Sequence, residues 1–145
     1  MWSPRVGLKL NLKIEDEVPW PGVSATSTVT GTSTVANEWE EIEFDFSGDS
    51  KLTADDWYNL VFIIDEGTQG DGTSNFTIYV DDITQVSSST SSVISDFEVD
   101  GSISGFDGGA QEVIDNPDTS GNSSDKVLKL VKNSGQAWAG HKFTV

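Results

Sequence analysis

Three stretches of this chain alternate apolar and polar residues so strictly that only a β-strand can use the pattern. Leu8, Leu10, Leu12 and Ile14 alternate with Lys9, Asn11, Lys13 and Glu15. Ile42, Phe44 and Phe46 alternate with Glu41, Glu43 and Asp45, and Trp39 leads that run as a core residue. Phe76, Ile78 and Val80 alternate with Thr77, Tyr79 and Asp81. A period of two sends successive side chains to opposite faces, so each strand buries one face and wets the other. Trp57 to Ile64 is almost continuously apolar, which suits a strand covered on both sides.

The remaining segments continue the pattern. Ser24 to Val35, with Thr26, Thr28 and Thr30 alternating, reads as a strand pair turning at Gly31. Thr53 to Asp56 has the form of a capping box for a short helical turn. Lys126 to Lys132 is a strand, Asn133 to Gly135 a turn, and Gln136 to Val145 a further strand with Gln136 and Trp138 on one face. Gly101 to Asp125 reads as a long polar loop. Pro19 and Pro21 bracket Trp20, which is either held out from the surface at low entropy cost or folded back on a sheet. About eight short strands with turns at this spacing, and no long helical pattern, predict an all-β fold: a β-sandwich or jelly roll.

Composition narrows the function classes. The 145 residues suit one domain and contain no cysteine, so neither disulfides nor thiol ligands hold the fold. A formal charge of -16 argues against nucleic acid and anionic membranes, which need basic patches, and suits a neutral partner or a cation. No apolar run approaches the ~20 residues of a membrane helix. The opening MWSPRVGLKL lacks the apolar centre of a signal peptide, and Met1 reads as a start placed on an internal segment.

The segment Asn75 to Gly101 sets the organisation. FTIYVDDIT reads as a last strand, QVSSSTSS as a flexible linker, and ISDFEV as a first strand. Continued alternation places Asp82 on the apolar side with Val80, where a carboxylate needs a cation or a strand end. The chain thus divides into residues 1–85, a linker at 86–92, and residues 93–145.

Several motifs carry a resemblance: Asp96–Glu98, Asp125–Lys132, Gly135–Gly140, Trp2–Asp16, Thr34–Ser47 and Tyr79–Ile83. Together they resemble the jelly-roll carbohydrate-binding modules of the galactose-binding-domain-like type attached to secreted bacterial glycanases. The order departs from that family, since its second part stands first here, as in a circular permutant or a slice across two tandem modules. A loop and strand of about 20 residues that the family carries between KFTV and WSP is missing.

The resemblance implies a noncatalytic module that holds a polysaccharide of the β-glucan or xylan type, secreted or at a bacterial cell surface. It places Trp138 at the sugar face, with Asp65 or Glu66 accepting sugar hydroxyls. Trp20 and Gln136 are the residues' own additions to that face. Trp138 as a core residue is the competing reading, and for Trp2 and Trp57 the core is favoured. Family members also share a structural calcium joining first and last strands, for which Asp82, Glu98 and Asn122 offer hard oxygen ligands. Lys9 and Lys13 weaken the charge argument against anionic glycans.

Two alternatives stand beside this. A small glycan-cleaving enzyme needs paired carboxylates across a cleft, but Asp55/Asp56 and Asp65/Glu66 are adjacent and face opposite ways on a strand. His141 is the one histidine, which serves a nucleophilic triad poorly. A calcium-stiffened adhesin spacer is the other alternative. Open sheet edges left by the missing strand also predict one of two states, a compact monomer with close termini or a homodimer joined by strand exchange across the linker.

Overall fold

The computed structural model describes residues 1–15, 26–49, 59–87, 90–98 and 102–145. Among these, ten strands are present: β1 (Lys9–Glu15), β2 (Thr26–Thr32), β3 (Asn59–Ile64), β4 (Thr77–Val80), β5 (Ile83–Val86), β6 (Ser91–Ser95), β7 (Ile103–Phe106), β8 (Gly109–Asp115), β9 (Lys126–Lys132) and β10 (Gly140–Thr144). The helical element among them is one 3-10 turn at Ser74–Phe76. Strands β2-β1-β3-β10-β7 form a five-stranded sheet, β4-β9-β8 a three-stranded sheet, and β5-β6 a separate pair. Every ladder is antiparallel. The all-β sandwich expected from the alternation is the fold observed.

Register puts the apolar set of each strand on one face. In the larger sheet Leu10 lies across from Ile64, Leu12 from Phe62, and Ile14 from Leu60, while Phe143 also pairs with Leu60. In the smaller sheet Ile78 pairs with Leu130 and Val80 with Leu128. These side chains and Phe97 join in one core. Each such side chain contributes about 1.5–3 kcal/mol by leaving water. Val61 and Ile63 point to the opposite side of β3 and are buried as well, so the apolar run is covered on both faces.

Strands before and after the β5–β6 pair share both sheets. β10 pairs with β3, and β9 pairs with β4. The segment read as a flexible linker at 86–92 instead carries the end of β5 and the start of β6, with Ser87 N–H donating to the Thr90 carbonyl at 2.8 Å.

Other local readings are corrected. Gly31 lies inside the single strand β2, and a side chain there would collide with Ile42 and Phe44. Residues 41–46 alternate exposed and half-buried as expected, yet they join no ladder. The polar stretch after Gly101 contains β7 and β8, which Asp107 and Gly108 join as a two-residue reversal with φ of 54° and 116°. Asp-Gly favours this left-handed pair. Residues 137 and 138 form a turn and β10 begins at Gly140, so Gln136 and Trp138 do not share a strand face. The readings of Trp20, Thr53–Asp56 and Trp57 lie outside the described residues.

Candidate functional site

The loop between β9 and β10 carries Trp138, which is 51% exposed. Its indole is not adrift. Trp138 Nε1 donates to Asp107 Oδ2 at 2.9 Å, and the Gln136 amide donates to the Asp107 carbonyl at 2.9 Å. The Asp107–Gly108 reversal therefore grips this loop from one side. On the other, Gln69 Nε2 donates to the Gly135 carbonyl at 2.8 Å and the Gly67 amide to the Ala137 carbonyl at 3.1 Å. The ring's N–H is spent on Asp107 at the surface, and half of the residue is left to solvent. Gln136 is exposed on the same loop.

Beneath the loop sits a buried cation. Lys132 ends β9 on the core side with Leu128 and Leu130, and it is fully buried. Its Nζ donates to the carbonyls of Ile64 at 2.6 Å, Asp65 at 3.1 Å and Ala137 at 2.8 Å. Burial pushes this ammonium below the usual lysine range, against the opposing charges of Asp65 and Glu66. The ammonium ties the end of β3 to the Trp138 loop.

Asp65 and Glu66, expected to accept sugar hydroxyls, are already engaged. Asp65 pairs with Arg5 and accepts from the Lys9 amide at 3.0 Å. Glu66 accepts from Asn11 Nδ2 at 2.6 Å and lies 3.5 Å from Lys13 Nζ. The chain Thr30 to Asn11 to Glu66 continues this network over the outer face of the larger sheet. Asp65 has φ of 40°, so the turn after β3 is bent by its own ties.

Of the expected cation-site residues, Asp82 lies where β4 passes into β5, Glu98 follows β6 and Asn122 precedes β9. Asp82 does not continue the β4 alternation: its φ is 50°, and its side chain is exposed rather than turned to the core. Its carboxyl is held above the ordinary range by desolvation and by the like charges of Asp81, Asp96 and Glu98. Glu98 Oε1 accepts from the amides of Asp125 and Lys126 at 3.0 and 3.2 Å. Asn122 donates to Asp81 Oδ2 at 2.7 Å and accepts from the Ser124 amide at 2.9 Å, so its side chain is engaged at both ends. Asp81 Oδ1 is buried and has no hydrogen-bond partner. Among the described residues, no three carboxylate or imidazole groups are drawn together as a ready metal-binding group. The Asp81 Oδ1 and the Asp82 carboxyl are the two groups here whose cost a hard dication would remove, against the about six to eight ligands such an ion takes. Asp81 escaped the sequence reading because alternation assigned it to solvent.

A third feature was also missed. Trp2 bridges both Trp39 and Tyr79, extending the three-stranded sheet by two short steps. The Trp2 and Tyr79 rings lie 5.1 Å apart and tilted by 58°. Trp39 Nε1 donates to the Asp118 carbonyl at 2.8 Å, so these half-buried aromatics anchor the loop that carries Asn122. They form a satellite cluster under a long loop rather than part of the main core.

Searches of protein-family models, of curated proteins and of solved structures found no match to this chain.

Proposed function

We propose that this protein is a noncatalytic carbohydrate-binding module that holds a neutral polysaccharide, of the β-glucan or xylan type, by stacking on Trp138. The observation that carries the reading is an indole half open to solvent whose orientation is fixed by a hydrogen bond from its N–H to Asp107. Sugar rings present apolar C–H faces, and a ring fixed in advance loses little entropy on stacking. Gln136 on the same loop supplies exposed amide groups for hydroxyls. The formal charge of -16 disfavours anionic glycans. Asp65 and Glu66 are committed to Arg5, Lys13 and Asn11, which supports a noncatalytic role and moves the hydroxyl-binding part away from them.

A structural calcium belongs to the same reading. Asp82 and Glu98 would hold it together with Asp81, whose Oδ1 is buried without a partner, and it would offset the like charges of Asp81, Asp96 and Glu98 acting on Asp82. So do a jelly-roll strand order with permuted segments and a secreted or cell-surface setting. The test is retention on insoluble xylan and β-glucan, followed by a glycan microarray. Wild type should bind with micromolar to millimolar Kd, as expected for a few stacking contacts. Trp138→Ala should lose retention and keep the melting temperature. Undiminished binding by Trp138→Ala, or no binding by wild type to any glycan on the array, would remove the proposal.

A further inference from the structure

Asp107 stands at the edge of the Trp138 indole and is itself exposed. Its Oδ2 accepts the Trp138 Nε1–H at 2.9 Å. Among the described residues nothing donates to its Oδ1, and Asp107 takes part in no ion pair. The turn that carries this carboxylate is held in place. The Asp107 and Gly108 carbonyls accept from the Gln136 and Asn133 amides, both at 2.9 Å. A Cβ at Gly135 would fall 2.0 Å from the Asp107 carbonyl oxygen, so the two turns meet with no room for a side chain between them. Ring and carboxylate are thus fixed relative to each other before any ligand arrives.

The chemistry of the free oxygen decides what it can meet. An ionised carboxylate only accepts hydrogen bonds, so a ligand group beside it must donate. A sugar lying on the indole brings the hydroxyls of its rim to the ring's edge, and a hydroxyl donates. A hydrogen bond to an ionised acceptor is about twice as strong as one between neutral groups. A sugar carboxylate has no proton to give at neutral pH and carries the same charge, so it is repelled. The cation beneath the loop offers an anion no donor, because Lys132 Nζ spends its protons on the carbonyls of Ile64, Asp65 and Ala137. Gln69 adds an acceptor to the same loop: its Nε2 is bonded to the Gly135 carbonyl, and the exposed amide keeps its oxygen.

We propose that Asp107 is a specificity-determining residue of the Trp138 surface, which selects neutral sugars that donate a hydroxyl and rejects uronate sugars. This rests on the carbohydrate-binding reading above and deepens it from a stacking contact to a choice between ligand classes.

The experiment is isothermal titration calorimetry with cellohexaose, laminarihexaose and xylohexaose, each beside a uronate counterpart. The two glucans are oxidised at C6, and the xylan is branched with glucuronate. Wild type should prefer the neutral member of a pair by about tenfold, the low end of what two like charges a few ångström apart exert near a protein surface. Asp107→Asn removes the charge and keeps a carbonyl oxygen for the Trp138 N–H, and asparagine tolerates the left-handed φ of 54°. Its preference should narrow to within about threefold. The other acidic residues of a chain with formal charge -16 are unchanged, so the shift belongs to position 107. Should the asparagine variant fold poorly, Asp107→Gly suits the same turn and is read in the same way. A variant that keeps the wild-type preference overturns the inference and leaves the carbohydrate reading standing. Equal or reversed wild-type preference within a pair does the same. A wild type that binds none of these oligosaccharides removes both.

Discussion

Replacing Lys132 with methionine keeps the length of the buried stem and deletes the ammonium. Three carbonyls then lose their donor: those of Ile64, Asp65 and Ala137. A buried acceptor left unpaired costs about 1–3 kcal/mol. The Ile64 bond is wholly buried and carries that cost in full, whereas the other two are part-buried and their acceptors can turn toward water. Against this, methionine avoids the desolvation of a charge, which recovers part of the loss. The balance is a destabilisation of about 2–4 kcal/mol. For a chain of this size each kcal/mol moves the midpoint by ~2–4 °C, so Tm should fall by ~4–16 °C. Urea unfolding measures the first quantity and a thermal melt the second, both followed by tryptophan fluorescence because the loop released is the one bearing Trp138. A change within about 0.5 kcal/mol, the scatter of ordinary surface substitutions, would refute the view that this ammonium ties the two loops together.

Three further outcomes are expected. His141 is fully buried, with Nε2 at 3.0 Å from the Ala110 carbonyl and 3.2 Å from that of Val131, and with Nδ1 unpartnered; burial lowers its pKa. A depressed folded-state value means this stability is present above the unfolded pKa of about 6.5 and is lost as pH falls below it, by at most ~1.4 kcal/mol per pH unit. Thermal melts from pH 8 to pH 5 should therefore decline more steeply for wild type than for His141→Gln, and parallel curves would count against the assignment. Asp82 has the opposite sign: its raised pKa means that ionisation opposes folding as pH rises through its range. Asp82→Asn should thus raise Tm in chelator, and calcium should raise the wild-type Tm but not the variant's; equal calcium responses would exclude Asp82 as a ligand. At Gly70 a Cβ would fall 2.2 Å from the Lys132 carbonyl, so Gly70→Ala should cost on the order of 1–3 kcal/mol by overpacking, read by denaturant midpoint.

Much of this was legible in the sequence where one rule dominated. Alternation identifies β1 and β4, whose register with neighbours is fixed by one apolar face, and a continuous apolar run identifies β3, which is covered on both. Alternation fails where local conformation overrides the period. Asp82 adopts φ of 50°, which rotates its side chain off the face that counting assigned to it. Gly101 to Asp125 reads as loop because its polarity is high, yet Asp107-Gly108 is a reversal signal with β7 and β8 on either side. The serine-rich ribbon reads as a linker because composition measures solvation, and apart from Ile83, Ile94 and Ser95 its strand residues are exposed. Segment 41–46 kept its alternation without a ladder, since one buried face needs only an apolar surface below it and Gly31 leaves room for Ile42 and Phe44.

The polar residues that fall on an apolar face are the most informative positions in this chain. Counting along KVLKLVK puts Lys132 with Leu128 and Leu130, and counting back from Phe143 puts His141 inside as well. Each could have been flagged from sequence as a buried ionisable group requiring partners. The structure supplies them as backbone carbonyls, three for Lys132 and two for His141. Carbonyls leave no signature in a sequence, so the demand was visible and the answer was not. Trp138 is the converse case. Its exposure follows from a turn that alternation had read as strand, and its fixed orientation follows from Asp107, 31 residues away in the chain. The fold's own positioning groups are therefore set by register. The proposed binding surface is set by turns, where the period of two carries no information.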